Sequence, residues 1–414
     1  MVEPFLPEPE KVAAVRGALP ATSAGIYLNT GSAGPLPAET ARGMEQIADR
    51  QLRVGRATPA DLEDVLDRMD EARGVLAALV GGDPAEISLT HGTTDGMNIA
   101  AWAPDWRRGD RIVTSDLEHP GGLAPLLAVR DRLGLELAVV EVAGATDDSD
   151  ILEAFERKIT PRTRLVAVSH VSWSTGLRLP IPEIADLARR RDAWFAVDGA
   201  QSAGAVPLDM ASLGADLFAF SGHKWLLGPE GTGGLWAGPR ARAEARRASG
   251  GALGHRSVSR QGCAVPWTDA RRFEHSTLHP PSVVGLARSV GWLEMYVGLG
   301  WVHDRGLRLA RELADSLGQV PGVTVLAPPA LMGTLVSFRV AGWTAEDLLE
   351  ALASRIFAIM QVVPDFDAVR ASVGFFNTDE ELARLVEAVR EVARHTPDTL
   401  PRRPTLVVLP AGSG

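Results

Sequence analysis

The chain has 414 residues, 45% of them apolar and 23% charged, with 42 Lys and Arg against 52 Asp and Glu. That length suits roughly two to three globular domains, and the formal charge of −10 argues against a nucleic-acid binder, which usually shows a basic stripe, and against binding to an anionic membrane surface. The single cysteine, Cys263, excludes an internal disulfide framework and a Cys-built zinc or iron–sulfur cage, and no metal site is expected.

The opening stretch MVEPFLPEPEKV is acidic and broken by proline, without the basic and apolar regions of a signal peptide. No run reaches the roughly 18 apolar residues of a membrane span, so a cytoplasmic location is expected. Residues 1–25 read as a capping helix and arm, with Val12, Val15 and Leu19 apolar. A short strand at 26–29 enters the Gly- and Pro-rich loop 30–37. Helical spacing follows at 39–56 and 60–80, and EISLT then closes a strand at Thr90. Next come RIVTSD (111–116), ELAVVEV (136–142), RLVAVSH (164–170), WFAVDGA (194–200) and DLFAFSG (216–222). Each is short, rich in β-branched or aromatic residues and apolar on both faces. The stretches 121–133, 149–157 and 182–191 between them have helical period. Buried strands alternating with helices predict an α/β fold with a mostly parallel sheet covered on both sides. After about 285 the pattern changes to helices at 282–297, 301–318, 344–354 and 379–395, with strands GVTVLAP and TLVSFRV between them. The predicted organisation is an arm (1–25), a large domain (26–285), a smaller C-terminal α+β domain (286–396) and a loosely attached Pro-rich tail (397–414).

Only three of the basic residues are lysines, Lys11, Lys158 and Lys224. Lys224 lies in SGHKW, between the strand DLFAF and the glycine-rich GPEGTGGLW. A lysine held there can lose its proton when desolvated and react with an aldehyde; the pentapeptide alone fits a surface lysine beside a turn better. Asp198 ends the apolar run WFAVD, where a carboxylate needs either a cation or a helix to cap. The pyridinium nitrogen of pyridoxal phosphate is such a cation, and Gln201 follows at a distance suited to its phenolate oxygen. Thr93 and Thr94, after Gly92, open a helix; they form either an ordinary cap or, with Ser221 and His223, a phosphate cradle. His119, in EHPG, is placed either to stack on a pyridine ring or to hydrogen-bond structurally.

In this order the residues resemble the class V aminotransferase group of fold-type-I pyridoxal-phosphate enzymes. The matching segments are YLNTGSAGPLP, THGTTDGMN, DLEHPGG, VDGAQSAG, SGHKWLLGPEGTGGLW, RRFEHSTLHPP and VRASVGFFNTDEE, spread over about 25–395. The resemblance implies pyridoxal 5′-phosphate as cofactor and Lys224 as its Schiff-base lysine. It implies Asp198 on the pyridinium, Gln201 on the phenolate, His119 stacked on the ring, and Gly92, Thr93, Thr94, Ser221 and His223 around the phosphate. Thr277 is implied to reach the phosphate of a neighbouring subunit, hence a homodimer with shared sites. Arg370, with Asn29 and the 30–34 backbone, is implied to hold the substrate α-carboxylate, and Trp173 to contact the ring or substrate.

The loop IFAIMQVVPDFDAVR (356–370) lacks the nucleophilic cysteine that desulfurases carry before this arginine, and the additional arginine of cystine lyases. The expected activity is therefore C–S cleavage by β-elimination of a cysteine S-conjugate. Ile359, Met360 and Gln361 are expected to accept a bulky uncharged or apolar sulfur substituent. A decarboxylating or deaminating variant, an epimerase, an aminotransferase and a desulfurase-like enzyme without the usual cysteine are the alternatives.

Overall fold

Strands form where β-branched and aromatic runs are bounded by Gly, Pro or Asp, and the computed structural model describes residues 7–247 and 250–401. In chain order they are β1 (Ile26–Tyr27), β2 (Ile87–Thr90), β3 (Arg111–Ser115), β4 (Glu136–Val140), β5 (Thr163–Ser169), β6 (Trp194–Asp198), β7 (Leu217–Ser221) and β8 (Gly233–Ala237). They continue as β9 (His255–Val258), β10 (Ala264–Pro266), β11 (Val323–Val325), β12 (Leu335–Val340), β13 (Ala358–Ile359), β14 (Gln361–Val363) and β15 (Ala368–Ser372).

Seven strands make the large sheet, in the order β2-β8-β7-β6-β5-β3-β4. β3 to β7 pair in parallel, and β8 runs antiparallel to both β2 and β7. Successive residues serve opposite cores, as the strand period of two requires. Leu165, Ala167, Trp194, Ala196, Leu217 and Ala219 fill one face. Val166, Val168, Phe195, Val197, Phe218 and Phe220 fill the other. β4, at the edge, departs from the two-sided apolar expectation, since Val139 is exposed.

The C-terminal part is an antiparallel sheet, β11-β12-β15-β14, packed on the helices Leu299–Gly318, Ala345–Ile356 and Asp379–Val392. β1 pairs with β13 rather than with the large sheet, and Asn29 bridges to Ser372. The loop after β1 is thereby tied to the strand that carries Arg370. Part of the N-terminal arm (1–6) and most of the Pro-rich tail (402–414) lie outside the described residues. Within the described part of the tail, the Pro401 carbonyl accepts a hydrogen bond from Arg355 Nη2 at 2.8 Å. No helix among the described residues is long and apolar enough to cross a membrane.

Candidate active site

In a parallel sheet the carboxyl ends of the strands face a common crevice where ligands bind. Here a cavity of about 340 Å³ lies between those ends and the C-terminal sheet. β2 delivers Gly92 as the N-cap of the helix Thr93–Trp102, with φ +150°, a backbone that favours glycine. Thr93 N–H donates to Ser221 Oγ at 2.9 Å, and the two hydroxyls lie 2.7 Å apart. The first turn of this helix, with Ser221 and His223 beside it in the cavity lining, forms a surface suited to an anion, and the buried His223 Nδ1 has no partner.

β6 and β7 bring Asp198 and Lys224 to the same cavity. Burial pushes the Asp198 carboxyl above the usual carboxylate range, against the Ala200 N–H (2.9 Å to Oδ1) and the charge of Lys224. Burial also pushes the Lys224 amine down to about 8; Arg370 adds to the fall and Asp198 opposes it. His119 is pushed down to about 4, chiefly by burial, then by Lys224 and Arg370, so its ring is neutral at pH 7. Its Nδ1 accepts the Gly121 N–H at 2.9 Å, which leaves the ring proton on Nε2. The ring meets Trp173 edge-on, with centroids 5.1 Å apart.

Gln201 is fixed at both ends of its amide. Its Oε1 accepts the Trp225 indole N–H at 2.8 Å, and its Nε2 donates to the Gly31 carbonyl at 2.9 Å. Arg370, 2% exposed, enters from β15. Its Nη1 donates to the Trp173 carbonyl and its Nη2 to Ser32 Oγ, both at 2.8 Å, with Asn29 Oδ1 at 3.4 Å from Nη2. Its Nε is buried with no partner.

A buried carboxylate, a lysine of depressed basicity and a helix N-terminus around one cavity are the chemistry of an amino-acid-transforming site. The family model of aminotransferase class-V matches residues 26–385. The chain belongs to the class V aminotransferase family. It is 31% identical over 380 residues to isopenicillin N epimerase of Streptomyces clavuligerus, covering 88% of this chain and 94% of the relative. It is 28% identical to a "Probable cysteine desulfurase" of Methanothermobacter thermautotrophicus, over 92% of this chain and 97% of the relative. It is also similar to the cystine C–S lyase C-DES, solved in complex with its reaction product cysteine persulfide. That likeness has a TM-score of 0.85 at 29% identity, covering 92% of this chain and 100% of that one.

Pyridoxal phosphate is the cofactor of this member of the class V aminotransferase family, and a C-DES structure carries glycine covalently linked to it. The cavity fits the group. Asp198 is an anion to face the pyridinium, Lys224 a nearby amine, and His223, whose buried Nδ1 has no partner, lines the cavity with Thr93, Thr94 and Ser221 where a phosphate would sit. Of the residues singled out in the sequence, Thr93, Thr94, His119, Trp173, Asp198, Gln201, Ser221, His223, Lys224 and Arg370 all line the cavity. Gly92 caps the lining helix and Asn29 stands behind Arg370. Thr277 is exposed and lies outside the cavity of its own chain.

The expectation for 359–361 needs correction. Met360 is buried in the core of the C-terminal sheet, and Ile359 pairs with Tyr27 on β1; neither lines the cavity. Gln361, which opens β14 opposite Arg370, lines it instead. Ser32 and Glu118 were passed over as site residues. Glu118 takes the hydroxyls of Ser115 (2.5 Å) and Ser169 (2.7 Å), near Asp198. A glutamate directly before His119 at a strand end was the available signal.

Proposed function

We propose that this enzyme cleaves the C–S bond of a cysteine S-conjugate by β-elimination. The observation that carries the reading is the placing of Lys224, of lowered basicity, in one cavity with Asp198 and Arg370. The likeness to a C–S lyase supports it as well. The only cysteine, Cys263, is exposed beyond β9 and is not a cavity residue, which disfavours relay of sulfur through a protein thiol.

When bound, pyridoxal phosphate draws electrons from the substrate Cα and weakens its bonds. Asp198 would keep the pyridinium proton in place, and the remaining Gln201 Nε2 hydrogen would serve the phenolate. Thr93, Thr94, Ser221 and His223 would hold the phosphate, and neutral His119 would contact the ring. Arg370 holds the α-carboxylate as a charge-assisted pair and so fixes which Cα bond faces the reacting groups. The free amine of Lys224 takes the Cα proton. The electron pair forms the Cα=Cβ bond, the Cβ–S bond breaks, and the sulfur leaves with its pair and is protonated to a thiol. Water converts the resulting 2-aminoacrylate to pyruvate and ammonium.

The test is incubation of the holoenzyme with a panel of S-substituted L-cysteines, reading thiol, pyruvate, CO₂ and peroxide together with the configuration of recovered substrate. Equal amounts of thiol and pyruvate, lost in Lys224→Ala, are expected. The relation to isopenicillin N epimerase favours a second reading, epimerisation. Recovery of the D-isomer without pyruvate would establish that reading in place of elimination, and CO₂ without pyruvate would establish decarboxylation.

A further inference from the structure

β14 and β15 are antiparallel, and their register sets Gln361 directly opposite Arg370. Opposed residues in such a pair project from the same face, with Cβ atoms about 5 Å apart. Of the stretch 358–363, Gln361 alone lines the cavity. One substrate can therefore touch both side chains, its α-carboxylate on Arg370 and its distal end on Gln361.

The polar groups around Arg370 are already committed. Ser32 Oγ accepts from Arg370 Nη2 at 2.8 Å and gives its hydrogen to Asn29 Oδ1 at 2.7 Å. Gln361 is different. The hydrogen-bond partner of its side chain is that same Ser32 Oγ, 3.4 Å from Oε1, whose hydrogen is better placed toward Asn29 at 2.7 Å. Its amide nitrogen makes no hydrogen bond to the described chain. The cavity therefore presents two N–H donors and an almost free carbonyl, uncharged, beside the arginine.

We propose that Gln361 is the specificity-determining residue for the sulfur substituent, and that it selects a tail ending in an uncharged hydrogen-bonding group such as a carboxamide or hydroxyl. The proposal rests on the C–S cleavage reading of the same site. A carboxamide tail exchanges two hydrogen bonds with the Gln361 amide. A hydrocarbon tail covers that amide and leaves its donors unsatisfied, which costs more than the hydrogen bond itself contributes. A carboxylate tail gives up its hydration for a neutral amide, because Arg370 is engaged with the first carboxylate. The chemistry is therefore narrower than a bulky apolar tail.

The test uses three near-isosteric ligands: S-carbamoylmethyl-, S-carboxymethyl- and S-propyl-L-cysteine. Dissociation constants are read from the absorbance change of the bound cofactor, and pyruvate release is read in parallel. Wild-type holoenzyme is expected to bind the carbamoylmethyl compound at least about tenfold more tightly than the other two. Gln361→Leu should remove its advantage over the propyl compound, and Gln361→Arg should turn the preference toward carboxymethyl. Ratios within one preparation cancel losses from imperfect folding. A wild-type preference under about threefold, or ratios unmoved by both substitutions, overturns the proposal. Pyruvate from all three ligands without binding preference defeats the role of Gln361 and leaves C–S cleavage standing. A preference that follows Gln361 without any pyruvate or thiol does the reverse.

Discussion

Glu118 lies beneath the site with its carboxyl pushed up to about 7, first by burial and further by the charge of Asp198; the Ser115 and Ser169 hydroxyls oppose the rise. Its ordinary value is 4.5, so between 4.5 and about 7 the folded chain keeps a proton that the unfolded chain has lost. The stabilisation from this group is complete below 4.5 and disappears as pH rises through about 7. Glu118→Gln has no such proton to lose. Relative to wild type it should gain about 2 kcal/mol between pH 5 and pH 8, read from denaturant unfolding at both pH values. A difference that does not change with pH would place Glu118 in the ordinary carboxylate range. Lys224 gives a second pH test, because only its free amine can react with the cofactor aldehyde. With the amine pushed down to about 8, cofactor-stripped enzyme should rebind pyridoxal phosphate at a rate that rises with pH and levels off above about 8. A rate still climbing toward 10.5 would mean that the amine is solvated. Arg370→Ala should lower kcat/KM by one to two decades, since a charge-assisted carboxylate pair contributes about 1.5–3 kcal/mol. An unchanged kcat/KM would assign the carboxylate to another group.

Strands β3, β5, β6 and β7 were legible because both of their faces are buried, which writes a continuous β-branched and aromatic run into the sequence. β8 was not, because it opens with Gly233-Gly234 and reads as a turn. Those glycines answer to neighbours distant in sequence: a Cβ on Gly233 would fall 2.4 Å from the Phe220 carbonyl oxygen and 2.8 Å from Gly92 Cα. The segments that line the cavity were legible because each combines a strand end with a charged or hydroxyl side chain. The position of Gln361 was hidden, since the apolar run around it conceals the short strand β14, whose pairing with β15 sets Gln361 opposite Arg370. The loop at 30–34 shows the same dependence on close approach. Gly34 N–H donates to the His223 carbonyl at 2.8 Å, and a Cβ there would lie 2.3 Å from the Lys224 carbonyl oxygen. Gly34→Ala must therefore push the loop bearing Ser32 away from the turn bearing Lys224. The expected cost is about 1–3 kcal/mol of stability, together with a raised KM and faster cofactor loss on dialysis. Wild-type cofactor retention and KM in this variant would show that the two segments are not coupled.

At the scale of the whole molecule, the large sheet supplies Asp198 and Lys224, and the C-terminal sheet supplies Arg370 and Gln361. Thr277 is held on the outside. The neighbouring Glu274, buried, accepts Arg73 Nη2 at 2.8 Å and the Leu89 N–H at 3.0 Å, so the segment is anchored to β2 while Thr277 faces away. Apolar side chains are also exposed at the tip of the helix pair Ala38–Val54 and Pro59–Val80, with Leu52 85% and Leu62 61% exposed. A single chain would leave that surface in water. We propose that a homodimer with composite sites accounts for both features, Thr277 of each subunit closing the phosphate cradle of the other. Sedimentation should give a dimer, and Leu52→Asp with Leu62→Asp should shift it toward monomer. Subunit mixing tests the sharing directly. Lys224→Ala removes the reactive amine, and Thr277→Glu sets a carboxylate against the neighbour's phosphate, so each variant alone should be nearly inactive. In a mixed dimer, one site combines the intact Lys224 of one subunit with the intact Thr277 of the other. Random exchange places half of the chains in such dimers with one complete site in two, so activity should recover to about a quarter of wild type. If Thr277 instead served its own chain, every site in the mixture would carry one of the two lesions and no activity would return.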